Sequence, residues 1–200
     1  MSETAKDRRL ALRDRLILIA ERRIADQGLA ALRARDLAAE AGCAVGAIYN
    51  VFGDLTELVL AVNARTFARL GAAAAAASEV ASAQPEEQLV AMALAYHAFA
   101  AANHTSWRAL FDLVRPTEQA APDWYLSDMD RLFSLIEGPV LILFPTLTQV
   151  ERSALTRTLF SAVHGVVLLS LDGASAGIPR ERAGPMIDLL VRSLIRGLPR

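Results

Sequence analysis

The chain has 200 residues, a formal net charge of −1, 54% hydrophobic residues and a mean hydropathy of +0.30. That length holds one large domain or two small ones around a sizeable core, and the apolar excess implies surface buried against a partner. One cysteine, Cys43, excludes an internal disulfide and a multi-cysteine metal site, and the near-neutral charge does not by itself point to nucleic acid.

The polar start MSETAKDRR lacks a signal peptide's apolar stretch. The longest uncharged run, Gln88 to Trp107, is alanine-rich and carries two histidines and Asn103, unlike a lipid-facing span. A cytoplasmic protein with no membrane segment is therefore expected.

In chain order, a first helix is expected over about 6–27, stopped by Gly28, with Leu10, Leu16, Ile17, Ala20 and Ile24 as its apolar stripe. Arg8, Arg9, Arg13 and Arg15 crowd its start, either as a solvated face or as an arm for phosphates. Residues 33–52, RARDLAAEAGCAVGAIYNVF, read as a helix, a turn and a second short helix. Leu37, Ala38 and Ala41 give the first its apolar positions. Gly42 supplies the residue able to take positive φ where that helix stops. Val45, Ile48 and Phe52 resume the rhythm. Two short helices around a glycine turn form either a helix-turn-helix or an ordinary helical corner. Gly46 and Ala47 would let the second backbone approach DNA, and Tyr49 and Asn50 are long and polar enough to bond to it.

A fourth helix is expected from Asp54, an N-cap, through an alanine run at 72–77; it reads as a connecting rod over about 54–77. Pro85-Glu86-Glu87 starts a fifth, with Leu89, Met92, Tyr96 and Phe99 on one face. A short segment, 105–114, holds Trp107, Leu110, Phe111 and Val114. After a loop around Pro116 and Pro122 comes a seventh helix from Asp123, which Gly138-Pro139 should kink or break. The capping box Thr148-x-x-Glu151 starts an eighth, ending near Asp172 before a loop to Gly177. The last is expected over about 183–197, with Pro185 in its first turn. No segment alternates like a strand, so the fold class is all-α. The composition break at 78–85 places a boundary within 65–80, between an N-terminal domain at 1–65 that holds the candidate helix-turn-helix and a C-terminal domain at 80–200. The last helix is apolar around most of its circumference, through Met186, Ile187, Leu190, Val191, Leu194, Ile195 and Leu198. It is expected to form a homodimer interface with the eighth, through Leu155, Leu159, Val163 and Val167.

Arg35-Asp36-Leu37-Ala38, Ala41-Gly42, Gly46-Ala47-Ile48-Tyr49, Phe52 and Thr56-Glu57-Leu58 together resemble the N-terminal domain of the TetR family of bacterial transcriptional regulators, over roughly residues 13–65. The resemblance implies a homodimer that binds a palindromic double-stranded DNA operator and is released by a small, largely apolar or aromatic ligand. It places Arg33, Arg35, Ala44, Val45, Gly46, Ala47, Tyr49 and Asn50 at the DNA. Three departures stand out. The Ser or Thr caps common in the family are replaced by Arg33 and Ala44, and a Lys that touches phosphate is common where Gly53 stands. In the C-terminal half, Trp107 and His164-Gly165 resemble a subgroup of the family. By that analogy the ligand pocket lies among helices near 89–113, 123–143 and 149–170, with Tyr96, His97, Phe99, Trp107, Phe111, Tyr125, Leu132 and His164 as lining residues.

No nucleophile elbow, phosphate-binding glycine loop, or His or Cys pair at metal spacing occurs in the chain. No catalytic residue, metal or cofactor is expected. The competing reading is an all-α small-molecule-binding protein or enzyme without DNA-binding activity; specific binding to a duplex separates the two.

Overall fold

The computed structural model describes residues 4–81, 83–113, 121–173 and 177–198. Among them the chain forms nine α-helices and no strand: α1 (Ala5–Gln27), α2 (Ala34–Ala41), α3 (Val45–Val51), α4 (Leu55–Val80), α5 (Pro85–Ala102), α6 (His104–Asp112), α7 (Asp123–Leu143), α8 (Gln149–Leu171) and α9 (Arg180–Gly197). Val114, the loop at Pro116 and part of the loop between Asp172 and Gly177 were expected features that lie outside the described residues.

Helix ends follow local chemistry. Gly42 stops α2 at φ 67° and ψ 39°. Its N–H donates to Ala39 and that of Cys43 to Ala38, a glycine-terminated C-cap that satisfies two end carbonyls. Glu57 N–H donates to Asp54 at 2.7 Å, and Glu57 accepts in turn from the N–H of Gly53, fixing the start of α4. Thr148 and Glu151 form the expected box at α8; Thr4 and Asp7 form an equivalent one at α1. Arg33 and Ala44 cap α2 and α3 without a side-chain hydrogen bond, as their chemistry dictates.

Pro139 and Pro185 both stand inside helices. α7 runs through Gly138-Pro139 without a break: Pro139 removes a single amide hydrogen bond, and burial of Pro139 and Val140 holds the helix together there. α9 starts at Arg180 rather than 183, so Pro185 stands in its second turn.

The helices sort into two compact units, residues 1–66 with 103–125, and residues 67–102 with 126–200. Residues 103–125 cluster with the first unit. The reason is packing: α6 lies on α1, and Ala109 joins the core formed by Leu16, Ala20, Ile24, Leu37, Ile48 and Leu58. Trp107 is 0% exposed. It stacks on His104 and meets Phe111 edge-on at 5.5 Å. Buried Asn63 of α4 donates to Ala109 O, one of the α6 carbonyls that has no partner within its own helix.

In the second unit α9 packs on α5 and α8, closed by Ala183, Ile187, Val191 and Ile195. Arg192 binds Glu87 through two nitrogens, at 2.6 and 2.8 Å, and also reaches Glu86 and Asp188. The guanidinium holds the Glu87 carboxyl below its ordinary value of 4.5. A carboxyl depressed in the folded state contributes stability above pH 4.5 that is lost as pH falls through its folded value. Asp7 and Glu151 are depressed too, by their capping threonines, and act with the same sign. Wild-type protein should therefore lose thermal stability progressively below about pH 4.5. Arg192→Met should flatten that slope, measured as melting midpoint against pH.

α4 and α8 are long and apolar enough by length and composition to cross a membrane. In the fold, half of the apolar window of α4 and a third of that of α8 are buried, and both helices contribute to the cavity described next.

Candidate functional site

Two features of the fold carry chemistry. The first is the outer face of α2 and α3. Ile48 and Phe52 point inward and are almost fully buried, so the helical repeat turns Val45, Gly46, Tyr49 and Asn50 outward. Tyr49 is 47% exposed and Val45 37%. Ala44, Arg33 and Arg35 are exposed as well, and Ala47 is half-buried. Of the eight residues expected at DNA, seven are thus exposed and Ala47 is half-buried.

The arginines of this unit divide by partner. Arg15 donates to Ala41 O and so caps α2. Arg22 and Arg23 bind Glu40, and Arg65 binds Glu21. Arg13 lies over the Phe52 ring at 5.5 Å and reaches Asp14 only at 4.0 Å. Lys6, Arg8, Arg9, Arg33 and Arg35 have no side-chain partner among the described residues and are exposed. The cations left for an external anion are those at the starts of α1 and α2. At the start of α4, where a phosphate-touching Lys was expected to be missing, Glu57 holds the Gly53 amide.

The second feature is an apolar cavity in the second unit, partly open to solvent. α4 lends Leu70 and Ala74; α5 lends Leu89, Met92, Ala93 and Tyr96. Leu132, Leu135 and Ile136 come from α7, Leu159, Phe160 and Val163 from α8, and Val191 from α9. Gly71 keeps α4 slim here: a Cβ on it would stand 3.7 Å from Leu132. Tyr96 bonds to His164 Nδ1 at 2.7 Å. Phe160 stacks on His164 and meets Tyr96 edge-on.

The eight residues expected to line a pocket fall in both units, and two of them line this cavity. Tyr96 and Leu132 lie in the wall, with His164 bonded to Tyr96. His97 and Phe99 share α5 but are not wall residues. His97 is half-buried with its Nε2 buried, and burial pushes its pKa below the ordinary value, which keeps it neutral. Trp107, Phe111 and Tyr125 belong to the first unit. The wall also holds Leu70, Ala74, Leu89, Met92, Ala93, Leu135, Ile136 and Phe160, which sequence reasoning did not name as pocket residues. Leu159, Val163 and Val167, expected at a dimer face, are buried within the chain, as is the Ile187, Val191 and Ile195 stripe of α9, while Met186 and Leu189 remain exposed. A helix apolar on every side was the available signal that its surface serves both a core and a second purpose.

Comparison with known proteins agrees with this layout. Residues 16–62 match the model of bacterial regulatory proteins of the tetR family, and residues 89–194 that of the tetracyclin repressor-like C-terminal domain. A solved protein of unknown function from Rhodococcus sp. RHA1 is similar at 25% identity and a TM-score of 0.74, over 94% of this chain and 96% of that one. The fatty acid degradation regulator FadR from Bacillus halodurans has the same fold at 17% identity and a TM-score of 0.67, over 93% and 99%. The TetR family transcriptional regulator PfmR from Thermus thermophilus has it at 20% identity and a TM-score of 0.61, over 94% and 97%. No curated protein matches the chain.

Proposed function

The chain belongs to the TetR family of bacterial regulatory proteins, and from that premise we propose that it is a cytoplasmic, non-enzymatic, ligand-released repressor. It acts as a homodimer on a palindromic operator. The observation that carries the reading is the sorting of cations: internal pairs consume Arg15, Arg22, Arg23 and Arg65, while Arg33 and Arg35 stay exposed and unpaired beside α3. Exposed charge without a partner around a shallow helix face fits a polyanion.

In this reading Arg33, Arg35 and Tyr49 contact phosphates, while Asn50, Val45 and the close-approaching backbone at Ala44, Gly46 and Ala47 meet base edges. A ligand in the cavity walled by Tyr96 and Leu132 releases the operator. It need only bind the DNA-incompetent state better; a tenfold preference is about 1.4 kcal/mol. Selection of bound duplexes from random DNA tests the reading. Enrichment of an inverted repeat supports it, and enrichment of nothing rejects it.

The dimer is proposed on the outward sides of α8 and α9. Met186 and Leu189 are exposed on α9, and Leu169 on α8. Ala154, Thr158, Ser161, Ala162 and Gly165 make the rest of the α8 face small. Thr158 and Ser161 donate their hydroxyls to carbonyls of their own helix, so the stripe is effectively apolar. Two such helix pairs related by a two-fold axis would form a four-helix interface. Sedimentation at micromolar concentration should show a dimer for wild type and a monomer for Ser161→Arg combined with Leu189→Arg. A double variant that remains dimeric would move the interface elsewhere.

A further inference from the structure

The wall of the cavity defines a ligand class more narrowly than apolar or aromatic. Among the described residues of the wall, Tyr96 and Phe160 are the aromatic ones, and of these Tyr96 carries a polar side-chain atom. The other described wall residues are aliphatic or Met, and none of the described wall residues is charged. Arginines that adjoin the wall in sequence are engaged: Arg69 is not without a partner, and Arg131 pairs with Asp128. Arg192, next to Val191, is held by Glu86, Glu87 and Asp188. Arg157 lies over the ring of Phe133 at 4.5 Å and faces Asp130. Phe133 in turn stands edge-on to Phe160.

An ionised head group inside this wall would lose its hydration with no counter-charge to replace it, a heavy penalty. An aromatic ring would find two ring partners on one side and flexible aliphatic chains elsewhere. A saturated chain matches that surface throughout. Its polar end can be met only at Tyr96, whose hydroxyl has one donor and two acceptor positions. The bond to His164 adapts to the ligand. A neutral imidazole protonated on Nε2 accepts from Tyr96 at Nδ1, which leaves the phenol oxygen to accept from a ligand hydroxyl. The other tautomer donates from Nδ1, which turns the phenol hydrogen toward a ligand carbonyl.

We propose that the cavity takes an uncharged ligand with a saturated aliphatic chain and one hydroxyl or carbonyl group, which Tyr96 reads with His164 behind it. The proposal rests on the regulator reading only for the consequence of binding, not for binding itself.

The test uses the full chain and three eight-carbon probes at pH 7.5, octan-1-ol, octanoate and octylamine, with 2-phenylethanol as the aromatic probe. Affinities are read by calorimetry without DNA. Octan-1-ol should bind at least tenfold more tightly than either charged probe and severalfold more tightly than 2-phenylethanol. Tyr96→Phe should weaken octan-1-ol about fivefold or more, and Ala93→Trp, which fills the cavity, should abolish its binding. Should the tryptophan prevent folding, Ala74→Leu narrows the same space with less added bulk. Octanoate or octylamine binding as tightly as octan-1-ol overturns the proposal, as does octan-1-ol binding that survives the filling variant unchanged. A separate arm adds octan-1-ol to a selected protein–duplex complex. Tight binding with no loss of DNA would leave the ligand class standing and refute ligand release.

Discussion

Replacing Trp107 with alanine should destabilise the protein by about 3–5 kcal/mol, the range for deleting a buried large aromatic side chain. Trp107 has no exposed surface and packs against His104 and Phe111 on a helix that lies on α1. For a chain of this length the loss corresponds to a drop of roughly 6–20 °C in melting midpoint. Trp124→Phe removes a ring that is 42% exposed and should change the midpoint far less. The same pair separates the emission spectra. Trp107 alone, in the Trp124→Phe background, should emit at short wavelength as a buried indole does. A Trp107→Ala variant that melts within about 2 °C of wild type would show that α6 does not close the first unit.

That residue also marks where the sequence stops being legible. Gly42, Asp54 and the Thr148–Glu151 box are read correctly because a cap is decided within four residues. The helix-turn-helix is read correctly because its core positions, Leu37, Ala41, Ile48 and Phe52, follow local periodicity. Trp107 looks the same in sequence whether it faces a ligand or a core, since its neighbours are fixed by α6 docking on a helix some eighty residues earlier. Leu159 and Val163 are a second case. α8 carries apolar residues on nearly every side, so periodicity cannot tell the cavity wall from an intermolecular face. The outward stripe proposed for the dimer is hidden for the opposite reason: Ser161 and Thr158 look polar in sequence but bond to their own helix. Pro139 and Pro185 carry less weight than their chemistry suggests, because tertiary packing retains a helix through a single missing hydrogen bond.

Arg35→Ala combined with Tyr49→Ala should weaken duplex binding at least a hundredfold. Each hydrogen bond to a charged group is worth about 1.5–3 kcal/mol when lost, and both side chains are exposed on the proposed face. Two signatures distinguish this from misfolding. The melting midpoint should hardly move, because neither side chain belongs to the core. The salt dependence of binding should become shallower by about one unit in log–log slope, the share of one phosphate contact from Arg35. Asn50→Ala should instead redistribute preference among sequences, at about 1–3 kcal/mol for a base contact. Affinity and salt slope both unchanged in the double variant would displace the recognition surface from α3.

The account stands or falls on a specific duplex. The direct measurement is fluorescence anisotropy of the purified protein on an inverted repeat recovered by selection, set against scrambled DNA of equal length at physiological salt. Specific complexes of this kind exceed non-specific ones by about a thousandfold or more. The prediction is that margin for wild type, with half-sites about one helical turn apart, roughly 34–36 Å, and collapse toward the scrambled value for the Arg35 and Tyr49 double variant. Equal affinity for the repeat and the scrambled duplex, in a protein shown to be folded and dimeric, would contradict it.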